Sequence, residues 1–224
     1  VFHGDGRPVA LDLFCGAGGA GMGLYQAGFD VVGVDHADQA GYPFRFIRGD
    51  AMCPPVELAG FAFVWASPPC QAYSITANMH RRLHPRLLER VRSMLVAGGV
   101  PWCIENVPGA PMPDAFFLEG VQFGLNVLRR RYFEASFFVM TPPVVRGVRV
   151  GFSARGGVSV FGGKSGGRGG REKWSAAMGI DWMTNPELAQ AVPPAYSRFI
   201  ADAGFAQGVF GDRVLRPACF GVAA

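Results

Sequence analysis

Ser67-Pro68-Pro69-Cys70-Gln71 places a cysteine directly behind two prolines and the apolar run Phe61 to Ala66. Prolines stiffen a turn, and a thiol fixed just beyond a strand end is accessible as a nucleophile. Most cysteines are buried packing residues, and Cys103, inside Pro101-Trp102-Cys103-Ile104, has that character; Cys70 does not. Glu105-Asn106-Val107 closes the next strand-like run. A carboxyl partly buried there has a raised pKa and can serve as an acid near neutrality, though a turn or helix cap would also place an acid at that point. Arg129, Arg130 and Arg131 open the run Tyr132 to Val139, where strand alternation predicts Arg129 and Arg131 on one face and Arg130 on the other.

A second group of residues has the character of a nucleotide site. Phe14-Cys15-Gly16-Ala17-Gly18-Gly19-Ala20-Gly21 follows the first apolar run. Glycines let a backbone pass close to a ligand and start a helix without side-chain clash, although a plain tight turn gives the same pattern. Asp35 closes Val31-Val32-Gly33-Val34, and its carboxylate can accept both hydroxyls of an adenosine ribose. Asp50, in Arg48-Gly49-Asp50, either accepts from an exocyclic amine or sits in an ordinary surface turn.

The elements that must carry these residues alternate. Strand, Gly-rich turn, helix to about Gly28, strand and acid make the opening of a nucleotide-binding βαβ unit. Leu87, Leu88, Val91, Met94 and Leu95 share one helix face, which Gly98-Gly99 ends. The class implied is α/β, with a mostly parallel, doubly wound sheet whose ligands bind beyond the carboxyl ends of the strands. The 224 residues suffice for one such domain with a small appendage. No apolar run approaches the roughly 18 residues of a membrane helix, and the start VFHGDGRPVALDLF does not resemble a signal peptide. The expectation is a soluble, cytoplasmic protein with no membrane partner. Its five cysteines include no C-x-x-C pair, so neither a disulfide framework nor a metal site is expected.

The net charge of +4 is unevenly placed: residues 141 to 180 hold seven basic residues against one acid. A basic segment on a near-neutral body suits a polyanion-binding edge, and equally a solvated loop. Within it, SARGGVSVFGGKSGGRGG predicts a flexible or ligand-ordered loop, with Val158 to Phe161 its one apolar patch. Helical pattern resumes around Trp174 to Gly179 and at Glu187 to Ala191, and Pro193-Pro194 opens a last helix through Ala203. The organisation expected is a catalytic and cofactor-binding domain over 1–140, the basic loop over 141–173, and returning helices over 174–224.

The order FCGAGG, VD, GD, PPCQ, ENV and a triple arginine closely resembles the cytosine-5 DNA methyltransferases, from Val9 to Val139 and again, more weakly, at Gln190 to Ile200. The resemblance implies a Rossmann-like methyltransferase fold, S-adenosylmethionine as cofactor and DNA as partner. Phe14, Gly16 and Gly18 would line the cofactor, Asp35 would take its ribose and Asp50 its adenine amine. Cys70 would attack the base, Glu105 would hold the cytosine N3 edge, and Arg129 and Arg131 would complete the catalytic set. Pro69, Ser74, Arg81 and Arg82 would meet nucleic acid from the catalytic loop, and Arg168, Arg171 and Lys173 from the basic stretch. Two features depart from the family: Val127 stands where a glutamine is usual, and no separate target-recognition domain precedes the last helix. The compact layout resembles stand-alone bacteriophage methylases. An RNA cytosine-5 methyltransferase and a catalytically idle binding subunit remain alternatives.

Overall fold

The computed structural model describes residues 6–71, 73, 86–127, 129–143, 158, 160 and 170–211. The first apolar run becomes β1 (Val9–Leu13), and the Gly-rich turn hands the chain to α1 (Gly19–Ala27). β2 (Asp30–Asp35) and β3 (Arg45–Arg48) follow, and a 3-10 turn at Leu58–Gly60 leads into β4 (Phe63–Ala66). α2 (Leu88–Gly98) buries Leu88, Val91 and Leu95, part of the face its spacing predicts, and Gly99 ends it in the left-handed conformation. β5 (Trp102–Asn106), β6 (Phe116–Leu118) and β7 (Arg131–Ala135) complete the sheet. Helices α3 (Arg171–Met178), α4 (Asn185–Gln190) and α5 (Pro194–Ala206) close the described chain.

The strand order is β3-β2-β1-β4-β5-β7-β6, with β7 antiparallel to both β5 and β6 and the other pairs parallel. Strands β1, β4 and β5 are buried along their whole length because both faces of the sheet are covered. α1 and α5 cover one face, over Ala10, Phe63, Trp65, Cys103 and Phe133. These two helices approach so closely that the Pro194 carbonyl and Ser197 Oγ fill the space where a side chain on Gly23 would stand. α2 covers the other face, over Leu11, Val64 and Ile104. The order reverses between β1 and β4, which opens a crevice at their carboxyl ends.

The structure differs from expectation in three places. Helices do not alternate with every strand: the chain crosses from β2 to β3 without one, and from β3 to β4 with only the 3-10 turn. α3 begins at Arg171 rather than near Trp174, so Arg171 and Lys173 belong to a helix. Glu172 favours that start by lying in the first turn, where the helix dipole is positive. Val158 and Val160, expected in an unpacked loop, are docked. Val158 bridges Val127, and both valines join a third apolar cluster with Ala17, Trp174, Met178 and Leu188. Apart from Gly170 at the head of α3, the rest of that Gly-rich stretch, with Arg168, and the loop carrying Ser74, Arg81 and Arg82 lie outside the described residues. Among the described residues no helix is long and apolar enough to cross a membrane.

Candidate active site

β1, β2, β4 and β5 deliver their carboxyl ends to one edge of the sheet, and antiparallel β7 delivers its amino end there. Asn106 lies opposite Tyr132, so Arg131 stands just past the end of β5. Its Nε meets Glu105 Oε1 at 3.0 Å, with both side chains largely buried. Alternation turns Arg130 away: its Nε pairs with Glu119 at 2.7 Å, with the guanidinium over the Phe117 ring.

Cys70 is half-buried on the loop that leaves β4. Asn106 Nδ2 donates to the Pro68 carbonyl at 3.0 Å, which ties that loop to the end of β5. Ser67 joins the same corner by accepting from Trp65 Nε1 at 2.9 Å and hydrogen-bonding Glu105. Burial pushes the Cys70 thiol up, the Glu105 carboxylate adds to the rise, and Arg131 and Arg129 oppose it. Burial also lifts Glu105 above the ordinary carboxyl range, against the pull of Arg131, Arg129 and Ser67. Thiol and carboxyl therefore share one field, in which a negative charge on either discourages the other.

Arg129 is 4% exposed and is used differently from Arg131. Its two terminal nitrogens donate to the carbonyls of Val160 and Ala189, each at 2.8 Å. Its own carbonyl accepts the Tyr196 hydroxyl at 2.7 Å, while its Nε has no hydrogen-bond partner among the described residues. Burial, with Arg131 nearby, lowers its pKa well below the ordinary arginine range. The side chain is thus largely committed to holding the chain itself.

At the other end of the edge, Phe14 adopts φ 57°, the one positive φ of a non-glycine residue among those described. Such a conformation costs about 1–3 kcal/mol and gathers where ligands are gripped. Gly16, at φ 47°, faces open space: a Cβ there would meet nothing within 4 Å. Gly18 differs, since a Cβ on it would press on Pro43 and Tyr42 at 2.9 and 3.0 Å. Its missing side chain makes room for Pro43 and Tyr42. Asp35 accepts from the Gly16 amide at 3.1 Å and the Ala37 amide at 3.0 Å, and lies 3.1 Å from His36 Nδ1. Asp50 is exposed and accepts from the Met52 amide at 2.8 Å, as in an ordinary Asx turn.

Beneath the turn, Asp12 of β1 is fully buried. It accepts from the Tyr42 hydroxyl at 3.2 Å through Oδ2, while Oδ1 has no partner among the described residues. Among the described cysteines, Cys15 and Cys103 are buried with their thiols pushed up by desolvation, Cys53 is exposed on the loop after β3, and Cys70 is half-buried at the strand edge. Pro69 lies partly buried beside it. On α3, Lys173 is exposed, and Arg171 donates to the Met183 and Asp181 carbonyls. No group of residues that could hold a metal occurs among those described. Sequence reasoning assigned no role to Asn106, Ser67, Asp12 or Tyr196. Only Asp12, a charge within an apolar run, carried a signal of its own.

The seven-stranded sheet in this order, with helices on both faces, is a Rossmann-like methyltransferase fold. The S. pombe Dnmt2 methyltransferase structure shares it with a TM-score of 0.57, over 90% of this chain and 99% of that one, at 13% identity. In sequence the chain is similar to the type II methyltransferase M.XorII of Xanthomonas oryzae pv. oryzae, at 31% identity over 144 residues. That match takes in 57% of this chain and 31% of the relative, so the chain spans about a third of the curated relative's length. No protein-family model matches the chain.

Proposed function

We propose that this chain is a DNA methyltransferase that uses S-adenosylmethionine to methylate carbon 5 of cytosine, with Cys70 as covalent nucleophile. The observation that carries the proposal is the corner where Cys70, Glu105 and Arg131 share one electrostatic field at the carboxyl edge of the sheet. Likeness to a type II methyltransferase supports the class of reaction.

The residues fit the cofactor. Gly16 fronts open space, Phe14 is held in a strained turn beside it, and Asp35 sets an acceptor pair at the end of β2. When bound, S-adenosylmethionine supplies a sulfonium-activated methyl group. The protein's own part is to make carbon 5 nucleophilic. The target base leaves the stack, because carbon 5 and carbon 6 are unreachable inside a duplex. Cys70 loses its proton and its sulfur bonds carbon 6. Glu105, lifted by burial, presents a proton to N3, so the displaced electron pair rests on a neutral enamine. Arg131 fixes the carboxyl's direction through its Nε contact. After methylation the carbon 5 proton passes to a solvent base and N3 returns its proton to Glu105, so the carbon 5–carbon 6 double bond re-forms and Cys70 leaves as the thiolate.

The test is product identification. The chain is incubated with labelled S-adenosylmethionine and duplex DNA, single-stranded DNA or tRNA, and each polymer is digested to nucleosides. Label in 5-methylcytosine from a DNA arm is expected. Label confined to tRNA would transfer the chemistry to RNA, and label in any other nucleoside would remove Cys70 from the mechanism.

A further inference from the structure

The segment from Trp182 to Ser197 touches both halves of the edge. Trp182 Nε1 donates to the Ala17 carbonyl at 2.9 Å, inside the glycine turn. The next amide, Gly18 N–H, donates to the Cys15 carbonyl at 3.0 Å. The Ala17–Gly18 peptide is therefore pinned at both ends, one residue beyond Gly16, whose own N–H is held by Asp35. Further along, the Val192 carbonyl fills the space where a side chain on Gly19 would stand, and Ser197 Oγ donates to the Ala20 carbonyl at 2.7 Å. The same segment reaches the other half at Arg129. Ala189 accepts from its guanidinium, and the Tyr196 hydroxyl donates to its carbonyl.

We propose that residues 182–197 form a strap that sets the glycine turn against the Arg129 side of the edge, with Trp182 as the positioning residue for the turn. The proposal rests on reading that turn as the S-adenosylmethionine site. A carbonyl held from the side by an indole N–H does not swing to meet solvent. Loss of that donor frees the peptide to rotate and blurs the surface that Gly16 presents.

Trp182→Phe keeps an aromatic ring and removes only the donor. Trp174→Phe is the matched control: Trp174 belongs to the same cluster, and its Nε1 has no hydrogen-bond partner among the described residues. Calorimetry on the full chain should show S-adenosylmethionine binding weakened roughly five- to tenfold by Trp182→Phe, as for one lost hydrogen bond, and unchanged by Trp174→Phe. In turnover the effect should fall on the KM for S-adenosylmethionine and not on the KM for nucleic acid. Amide hydrogen exchange of the unliganded chain should be faster at residues 15–20 in Trp182→Phe alone. Unchanged affinity with unchanged exchange overturns the proposal. So does faster exchange spread through β1 and α1, which would mark general loosening. If the unsubstituted chain binds no S-adenosylmethionine, the functional reading fails, and the exchange arm still decides whether Trp182 holds the turn.

Discussion

Two strands of the sheet carry carboxylates at or next to their last residue that are almost equally buried, yet their surroundings differ. Asp35 at the end of β2 and Glu105 in β5 are 8% and 7% exposed. Asp35 accepts from the Gly16 amide in the glycine turn and from the Ala37 amide just beyond β2, with His36 Nδ1 3.1 Å away. Its oxygens are aimed by the backbone, as suits an acceptor for hydroxyl groups. Glu105 meets a guanidinium and a serine and shares its field with a thiol. There burial drives the carboxyl toward the neutral form while Arg131 draws it back. Similar burial thus goes with different partners, and in the proposed function the Asp35 end binds while the Glu105 end handles a proton.

The largest effects are expected at the Glu105 end. Cys70→Ser should abolish turnover and leave S-adenosylmethionine binding intact, because neither β1 nor the glycine turn is touched. DNA containing 5-fluorocytosine should trap a covalent adduct only when Cys70 is present, and an adduct on Cys15 or Cys103 would reassign the nucleophile. Glu105→Gln keeps the shape and removes the acid, so turnover should fall about 10²–10⁴-fold. It should also shift Cys70 in a defined direction. The Glu105 carboxylate raises the thiol's pKa, so its removal lets the thiolate form at lower pH. The pH profile of Cys70 alkylation should move down in Glu105→Gln and stay in place in Asp35→Asn. A profile unmoved by Glu105→Gln would break the comparison at its root.

At the Asp35 end the expected effect is smaller and falls on binding. Asp35→Ala should weaken S-adenosylmethionine by about 1.5–3 kcal/mol, the size of a lost hydrogen bond to a charged group. Calorimetry showing native affinity would mean that Asp35 only orders the turn through Gly16 and Ala37.

Much of this edge was legible in the sequence, because a sheet covered on both faces leaves apolar runs that end where their loops begin. Glycines, PPC and EN stand at those ends, so the strand ends and the residues beyond them could be read together, while the order of the strands in the sheet could not. The start of α3 was hidden because Arg171, Glu172 and Lys173 give no apolar signal before Trp174. Arg129 was legible as a type but not in its use, since its carbonyl partners lie 31 and 60 residues away. Tyr196 and Trp182 were unreadable for a related reason. Each donates to a backbone carbonyl, and a carbonyl leaves no mark in a sequence.

The smallest expected effect concerns a third carboxyl, Asp12, which sharpens the contrast by having neither amide pair nor guanidinium to hold it. Burial raises its pKa well above the ordinary 3.8, and the hydrogen bonds from Tyr42 and Gly21 only partly oppose that rise. The sign follows from linkage. Below about pH 4 the carboxyl is protonated in both the folded and unfolded chains, and the site adds no pH dependence. Above that, the unfolded chain ionises while the folded chain keeps its proton, so stability drains away as pH rises toward the folded pKa. The slope is at most ~1.4 kcal/mol per pH unit. Asp12→Asn retains an oxygen for the Tyr42 hydroxyl and cannot ionise in either state. Urea unfolding at pH 4.5, 6 and 7.5 should therefore show the variant gaining on the unsubstituted chain as pH increases. Parallel stability curves would mean that Asp12 is charged in the fold, with its unpartnered Oδ1 answered by a donor from outside the described residues. The ordering of the three carboxyls by partner type would then have to be redrawn.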